Sequence, residues 1–239
     1  MKAKSKIKKF YQRRETVVDY DKIRFGSAGG ELLSSIELQG IMSLLPVKGR
    51  ILDVGAGTGR VTKLLLKRGY QVSALDSSEE MVNKLKGIRN NKLTVHLGSA
   101  FFFPFSKETF EGVTALRFFD HFDKNDFKLI LKEFKRVLKK KGMAVFGINN
   151  RFSLESILPS VFSKAKPLNF YYRERELEKV ISGMGWVIKR KFKFFIIPRG
   201  FYMHLPWPIP KILLIVEKVL NKTPLSYFSG YLVFGLEKK

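Results

Sequence analysis

Residues 50–59 constrain the fold of this chain more than any other stretch. A short apolar run, Arg50-Ile51-Leu52-Asp53-Val54, flows directly into Gly55-Ala56-Gly57-Thr58-Gly59. A run this short and apolar reads as a strand buried on both faces of a parallel sheet. The glycines let the backbone turn sharply and approach a ligand without a clashing Cβ. Residues 61–68 follow at helical spacing. The loop therefore ends at a helix N-terminus, whose N–H groups and positive dipole end suit a carboxylate as well as a phosphate. In open α/β sheets ligands bind at such strand-to-helix turns.

The alternation continues along the chain. Apolar residues at helical spacing predict a helix over 31–45, with Gly29-Gly30 ending the loop before it. The pattern then gives a strand at 70–75, a helix at 79–87 capped by Ser77-Ser78, and strands at 93–97 and 112–116. An amphipathic helix over 125–140 carries Phe127, Ile130, Leu131, Phe134 and Leu138 on one stripe, with Gly142 as its breaker. A fifth strand covers 143–148. Beyond it come a helix at 173–182, two long strands at 186–197 and 231–237 that can pair antiparallel, and a stretch with five prolines at 198–230 holding a helix near 211–220. Strands alternating with helices imply an α/β, Rossmann-like, doubly wound and mostly parallel seven-stranded sheet, with an antiparallel C-terminal strand and an aromatic C-terminal insert. The 239 residues fit one domain. Its parts are an N-terminal helical segment (1–45), a ligand-binding core (46–150) and an acceptor or lid region (151–239).

The loop itself narrows the ligand. A nicotinamide-binding turn reads G-x-G-x-x-G, which from Gly55 requires glycine where Arg60 stands, and the P-loop lysine pattern is absent. Asp76 closes the second strand 23 residues after Asp53, near the ~20-residue offset at which an acid accepts ribose hydroxyls. Plainer readings stay open: residues 55–59 as a tight turn only, and Asp76 as a helix cap beside Ser77. Composition removes other chemistries. The chain has no cysteine, which excludes disulfides, thiolate metal sites and a cysteine nucleophile. His96, His121 and His204 are scattered and form no metal-ligand spacing.

Asp-x-Gly-x-Gly-x-Gly resembles motif I of the class I S-adenosylmethionine (SAM)-dependent methyltransferases. The likeness extends further. Gly98-Ser99-Ala100 with Phe103-Pro104-Phe105 and Phe110-Glu111-Gly112-Val113 is similar to the family's "G-D-A…L-P-F…F-D-V-V" stretch, and Glu133 with Arg136-Val137-Leu138-Lys139 is similar to its "R-E…R-V-L-K" helix end. The nearest group is type 11, which includes ubiquinone and menaquinone biosynthesis methyltransferases; Tyr20-Asp21 also resembles that group's N-terminal segment. The resemblance implies SAM as cofactor, with Gly55, Ala56 and Gly57 lining its methionine part and Asp53 organising the loop. It implies Asp76, beside Ser77, at the ribose and Ser99, Ala100 and Phe101 at the adenine. Arg117 would face the sulfonium and substrate. The family's Asp in G-D-A is Ser99 here, which weakens the adenine contact it implies.

His121 is the candidate general base, placed by Arg117-Phe118-Phe119-Asp120 at the sheet's C-terminal edge; a histidine suits that work near neutral pH. Alternatively Asp120 and His121 cap the next helix or face solvent. The acceptor region is aromatic: Phe152, Phe162, Phe170, Tyr171, Tyr172, Phe201, Tyr202, Trp207 and Tyr227 suit a lid over a small or lipid-like acceptor. The helix near 211–220 has a wide apolar face edged by Lys211 and Lys218, as interfacial helices do. Peripheral membrane contact through 195–222 stands against docking on its own domain or on a dimer mate. The net charge of +24, from 45 Lys+Arg against 21 Asp+Glu, is spread along the chain. It fits nucleic acid or an anionic membrane surface, or solubility alone. Nucleic acid is disfavoured, because no Asn-Pro-Pro-aromatic motif follows the fourth strand. A non-catalytic SAM-binding protein is the remaining alternative. The Lys-rich, apolar-poor residues 1–15 do not read as a secretory signal, and the apolar run 212–216 is too short to span a bilayer. A cytoplasmic protein, or one peripheral at the membrane's inner face, is expected. The sequence leaves the oligomeric state open.

Overall fold

A computed structural model describes residue 21, residues 25–157 and residues 170–239. Tyr20, the Lys-rich start and Phe162 lie outside the described residues.

The described residues form one seven-stranded sheet. Its strands are β1 (Arg50–Val54), β2 (Gln71–Asp76), β3 (Leu93–Leu97), β4 (Phe110–Ala115), β5 (Leu138–Asn149), β6 (Trp186–Phe194) and β7 (Tyr231–Lys238). Their spatial order is β3-β2-β1-β4-β5-β7-β6. β1 pairs parallel with both β2 and β4, and β7 runs antiparallel to β5 and β6. The expected doubly wound sheet with an antiparallel last strand is what the chain forms. The strand order reverses at β1, so the crevice beyond the carboxyl ends of β1, β2 and β4 is the place for a ligand.

Successive side chains of β1 point to opposite faces. Leu52 and Val54 join the core cluster holding Phe119, Phe127, Phe134 and Phe146, while Ile51 joins the cluster holding Leu65, Val72 and Tyr231. Helices α1 (Ala28–Met42) and α2 (Arg60–Lys67) serve the second cluster. Helices α4 (Lys124–Val137) and α5 (Glu174–Gly183) serve the first. Helix α3 (Glu79–Lys86) packs on β2 and β3. Two C-terminal helices, α6 (Arg199–His204) and α7 (Ile209–Leu220), follow β6.

Several boundaries differ from expectation, and two of the differences have a clear physical reason. Gly29 and Gly30 do not end a loop; they form the first turn of α1, where the Ser27 hydroxyl oxygen accepts from the Gly30 N–H at 3.1 Å. A Cβ at Gly29 would sit 1.6 Å from the Tyr202 carbonyl oxygen, so the glycine serves the close crossing of α1 and α6. Helix α4 stops at Val137 rather than continuing to Lys140. Fully buried Leu138 pairs with Phe110 in the sheet, and Gly142 then lies where the β4–β5 register shifts, after Lys141 at φ 60°. Tertiary pairing overrides the helical periodicity there.

Candidate active site

A cleft of about 780 Å³ opens at the switch point, bounded by the turns after β1, β2, β3 and β4. The glycine turn forms its floor. Gly55 and Gly57 adopt φ of 65° and 56°, a region where a Cβ costs energy. At Gly55 a Cβ would also meet the Phe118 ring at 2.5 Å. At Gly57 it would meet nothing nearer than 3.9 Å, so this residue turns its bare Cα to open space in the cleft.

Two acids hold the turn. Asp53 is buried and accepts hydroxyl hydrogen bonds from Thr62 at 2.7 Å and Thr114 at 2.9 Å, tying β1 to α2 and β4. Burial pushes its carboxyl up to about 6 against these two bonds. A folded-state value above the unfolded one adds stability below the unfolded value, and that stability is lost as the pH rises through the folded value. Asp53→Asn should therefore remove a stability loss of about 3 kcal/mol between roughly pH 4 and 7. Thermal melts across that range check this; identical pH profiles for the two proteins would refute it.

Asp76 reaches across from the end of β2. One carboxylate oxygen accepts from the Gly57 N–H at 2.8 Å and the other from the Ser78 N–H at 2.9 Å. Burial raises its pKa, with the backbone donors at Ser78 and Gly57 opposing. Each oxygen keeps a further lone pair for a ligand's hydroxyls. The capping alternative falls to Ser78, whose hydroxyl oxygen accepts from the Met81 N–H at 3.3 Å as α3 begins.

The loop after β3 supplies another wall. Arg136 donates to the Phe105 carbonyl at 2.6 Å and the Phe103 carbonyl at 3.0 Å, while Glu133 accepts from the Phe103 N–H at 2.8 Å. Helix α4 thus anchors the chain just after the strip Ser99-Ala100-Phe101, which faces the cleft. The Ser99 hydroxyl oxygen accepts from the Phe101 N–H at 3.2 Å, so it shapes its own turn.

Beyond β4 the cleft is bordered by Leu116, Arg117, Phe118, His121 and Phe122. Arg117 stands at φ 54°, and its backbone N–H donates to the Tyr231 hydroxyl at 3.0 Å. Its guanidinium turns to buried Glu37 at 2.7 Å and stacks over the Tyr231 ring at 3.8 Å. Glu37 also holds Arg60 at 2.7 Å. Burial raises the Glu37 carboxyl, but Arg117 and Arg60 together outweigh it and leave its pKa below the ordinary range. His121 ends a short 3-10 turn, Phe119–His121. The helix-capping alternative falls to neither Asp120 nor His121: Asp123 caps α4, accepting from the Asn125 and Asp126 N–H groups at 2.9 Å each. Asp120 instead accepts from the Asn149 N–H at 2.7 Å.

The structure brings Asp53, Gly55, Ala56, Gly57, Asp76, Ser77, Ser99, Ala100, Phe101, Arg117 and His121 to one cleft. Among the described residues it does not bring the C-terminal aromatic residues there. Tyr172 and Tyr202 are buried in the two core clusters, and Phe152 stacks on Tyr227 at 5.0 Å. Aromatic walls come instead from Phe25, Phe101, Phe118 and Phe122. Sequence reasoning missed Phe25, Thr58 and Glu37. Asp21, also at the cleft, accepts from the Thr58 hydroxyl at 2.7 Å. Glu37 leaves a signal, being an acid four residues from both Leu33 and Ile41 on a buried stripe.

A bare glycine floor, an acid at the next strand end and an apolar strip at the third are the arrangement expected of a nucleoside site at the switch point of an open α/β sheet. The family model described as "Methyltransferase domain" matches residues 51–142. An uncharacterized protein of Methanocaldococcus jannaschii is 28% identical over 198 residues, covering 79% of this chain and 75% of that protein. A Bacillus subtilis protein named as a candidate methyltransferase, YqeM, is 29% identical over 133 residues, half of each chain. The crystal structure of a SAM-dependent methyltransferase of Thermotoga maritima superimposes with a TM-score of 0.68 at 20% identity, covering 98% of this chain and all of that one. Residues 51–142 thus match a methyltransferase-domain family, and the chain is similar over most of its length to SAM-dependent methyltransferases in fold.

Proposed function

We propose that the protein transfers the methyl group of SAM to an oxygen or carbon of a small or lipid-like acceptor. The observation that carries this reading is the apolar part of the cleft lining, Leu116, Phe118, Phe122 and Phe101, which borders the cleft together with His121. SAM, when bound, supplies a methyl carbon activated by a positive sulfonium. Gly55, Ala56 and Gly57 would hold its amino-acid end and Asp76 its ribose, with Ser77 adjoining. Ser99, Ala100 and Phe101 would flank the adenine. Asp53 keeps the turn in shape. The phenylalanine wall excludes water, which favours a step that disperses charge in the transition state. The cleft aligns the acceptor, and alignment alone lowers such barriers by several kcal/mol.

His121 would take the proton of an acceptor that must lose one. Arg117, clamped by Glu37 and Tyr231, would form the rigid edge of the acceptor side. His121→Ala should lower kcat by about a hundredfold at saturating acceptor and erase the acidic limb of the pH–rate profile. An unaltered rate and profile would remove His121 from the mechanism.

The acceptor class is tested by incubating the protein with methyl-labelled SAM and a fractionated cell extract. Label in the organic-soluble or small-molecule fraction is the expected result. Label in RNA, with binding that weakens steeply as salt rises, would overturn the reading in favour of the basic surface. SAM binding without label in any fraction would favour a non-catalytic role.

A further inference from the structure

Among the described residues no helix is long and apolar enough to cross a membrane. Helix α7 nevertheless leaves an apolar stripe outside the core. Its inner side carries buried Pro210 and Glu217, with Leu213 and Leu214 packed against the second core cluster. Ile212, Ile215 and Val219, at i, i+3 and i+7, face outward at 54%, 63% and 61% exposure, with Val216 beside them. Trp207, 51% exposed, precedes the helix, with the Lys211 ammonium 4.8 Å from its ring.

Along the chain on either side of this stripe the exposed charges have one sign. Glu217 is the only acidic residue between Phe195 and Gly230, and it faces inward. There it accepts from the Tyr202 hydroxyl and the Ile196 N–H. Lys211, Lys218 and Lys222 are all exposed and recur at i, i+7 and i+11 along one border of the stripe. An outward face of aliphatic residues, a half-exposed indole and a lysine border without acids matches a helix lying in the headgroup region of an anionic bilayer. A protein partner of comparable fit would need a continuous apolar groove edged by carboxylates; an anionic lipid surface supplies both features without specific shape.

We propose that Trp207 and helix α7 form a peripheral docking surface for an anionic lipid bilayer. This rests on exposure and charge alone and holds whichever acceptor the cleft takes.

The test is co-sedimentation of the full chain with vesicles of phosphatidylcholine alone and of phosphatidylcholine mixed with phosphatidylglycerol. Binding to the mixed vesicles should exceed binding to the neutral ones by about tenfold or more, and should fall with salt. Fluorescence should shift to the blue on binding; Trp207→Phe should abolish the shift, because the other tryptophan, Trp186, is buried. The combined variant Ile212→Ser, Ile215→Ser, Val219→Ser should lose vesicle binding while keeping its circular dichroism and its SAM affinity. The combined variant Lys211→Glu, Lys218→Glu, Lys222→Glu should lose the preference for the anionic lipid. Equal binding to both vesicle types, or serine variants that bind like the wild type, would overturn the proposal. So would a wild-type dimer that ignores vesicles and becomes monomeric in the serine variant, which would make the stripe a contact between copies.

Discussion

With alanine at position 76 the protein should bind SAM about a hundredfold more weakly than the wild type, a loss of roughly 3 kcal/mol. Two effects add. The Asp76 carboxylate is the acceptor for the Gly57 and Ser78 N–H groups, so its removal frees both the glycine turn and the start of α3. Hydrogen bonds to a charged acceptor are worth about 1.5–3 kcal/mol each, and an unpaired buried donor costs part of that again. The remaining lone pairs of the same carboxylate are the ones proposed for the ribose, so alanine also deletes a direct contact. Asparagine at 76 separates the two. It still accepts one backbone bond but carries no charge, and its affinity should fall between wild type and alanine. Calorimetric titration with SAM measures both variants, and melting without SAM shows whether the fold survives. Wild-type SAM affinity in Asp76→Ala would refute the ribose assignment and leave Asp76 as a loop anchor only.

The cleft was readable because its parts are local in sequence. A buried strand, a glycine turn and an acid ending the next strand are each written in fewer than ten consecutive residues, and the parallel topology brings them together. Helix ends were less readable. Nothing near Leu138 marks the end of α4, because the cause lies at Phe110, its partner strand. Gly29 resembles a loop glycine until Tyr202 is known to lie against it. The C-terminal aromatics show the limit most plainly. Tyr202 and Trp207 sit five residues apart in one Pro-rich stretch, yet one is buried with its hydroxyl on Glu217 and the other is half exposed. Composition predicts that such residues matter for packing or binding; only the packing of α6 and α7 decides which.

Replacing Glu37 by alanine should destabilise the fold by about 3–5 kcal/mol, the cost of breaking a buried ion pair from one side. For a domain of this length that lowers the melting temperature by roughly 10 °C. Glu37 is buried between two guanidiniums, Arg60 and Arg117, each at 2.7 Å. Alanine leaves both without their carboxylate, and Arg117 is itself nearly buried, with its side chain 9% exposed. The sign with pH follows from the depressed carboxyl. Its stabilising contribution is present above the unfolded value near 4.5 and is lost as the pH falls through the lower folded value. Wild type should therefore show acid destabilisation that Glu37→Ala lacks, and the two melting curves should converge at low pH. Glu37→Gln, which keeps an acceptor but no charge, should fall between them. The effect should reach the cleft as well, since Glu37 and Tyr231 fix the guanidinium that forms its acceptor-side edge. Acceptor KM should rise in Glu37→Gln more than SAM affinity falls, because the glycine turn is also held by Asp53 and Asp76. A Glu37→Ala protein that melts like wild type at neutral pH would show that the two arginines find other partners, and that Arg117 is not held in place by this carboxylate.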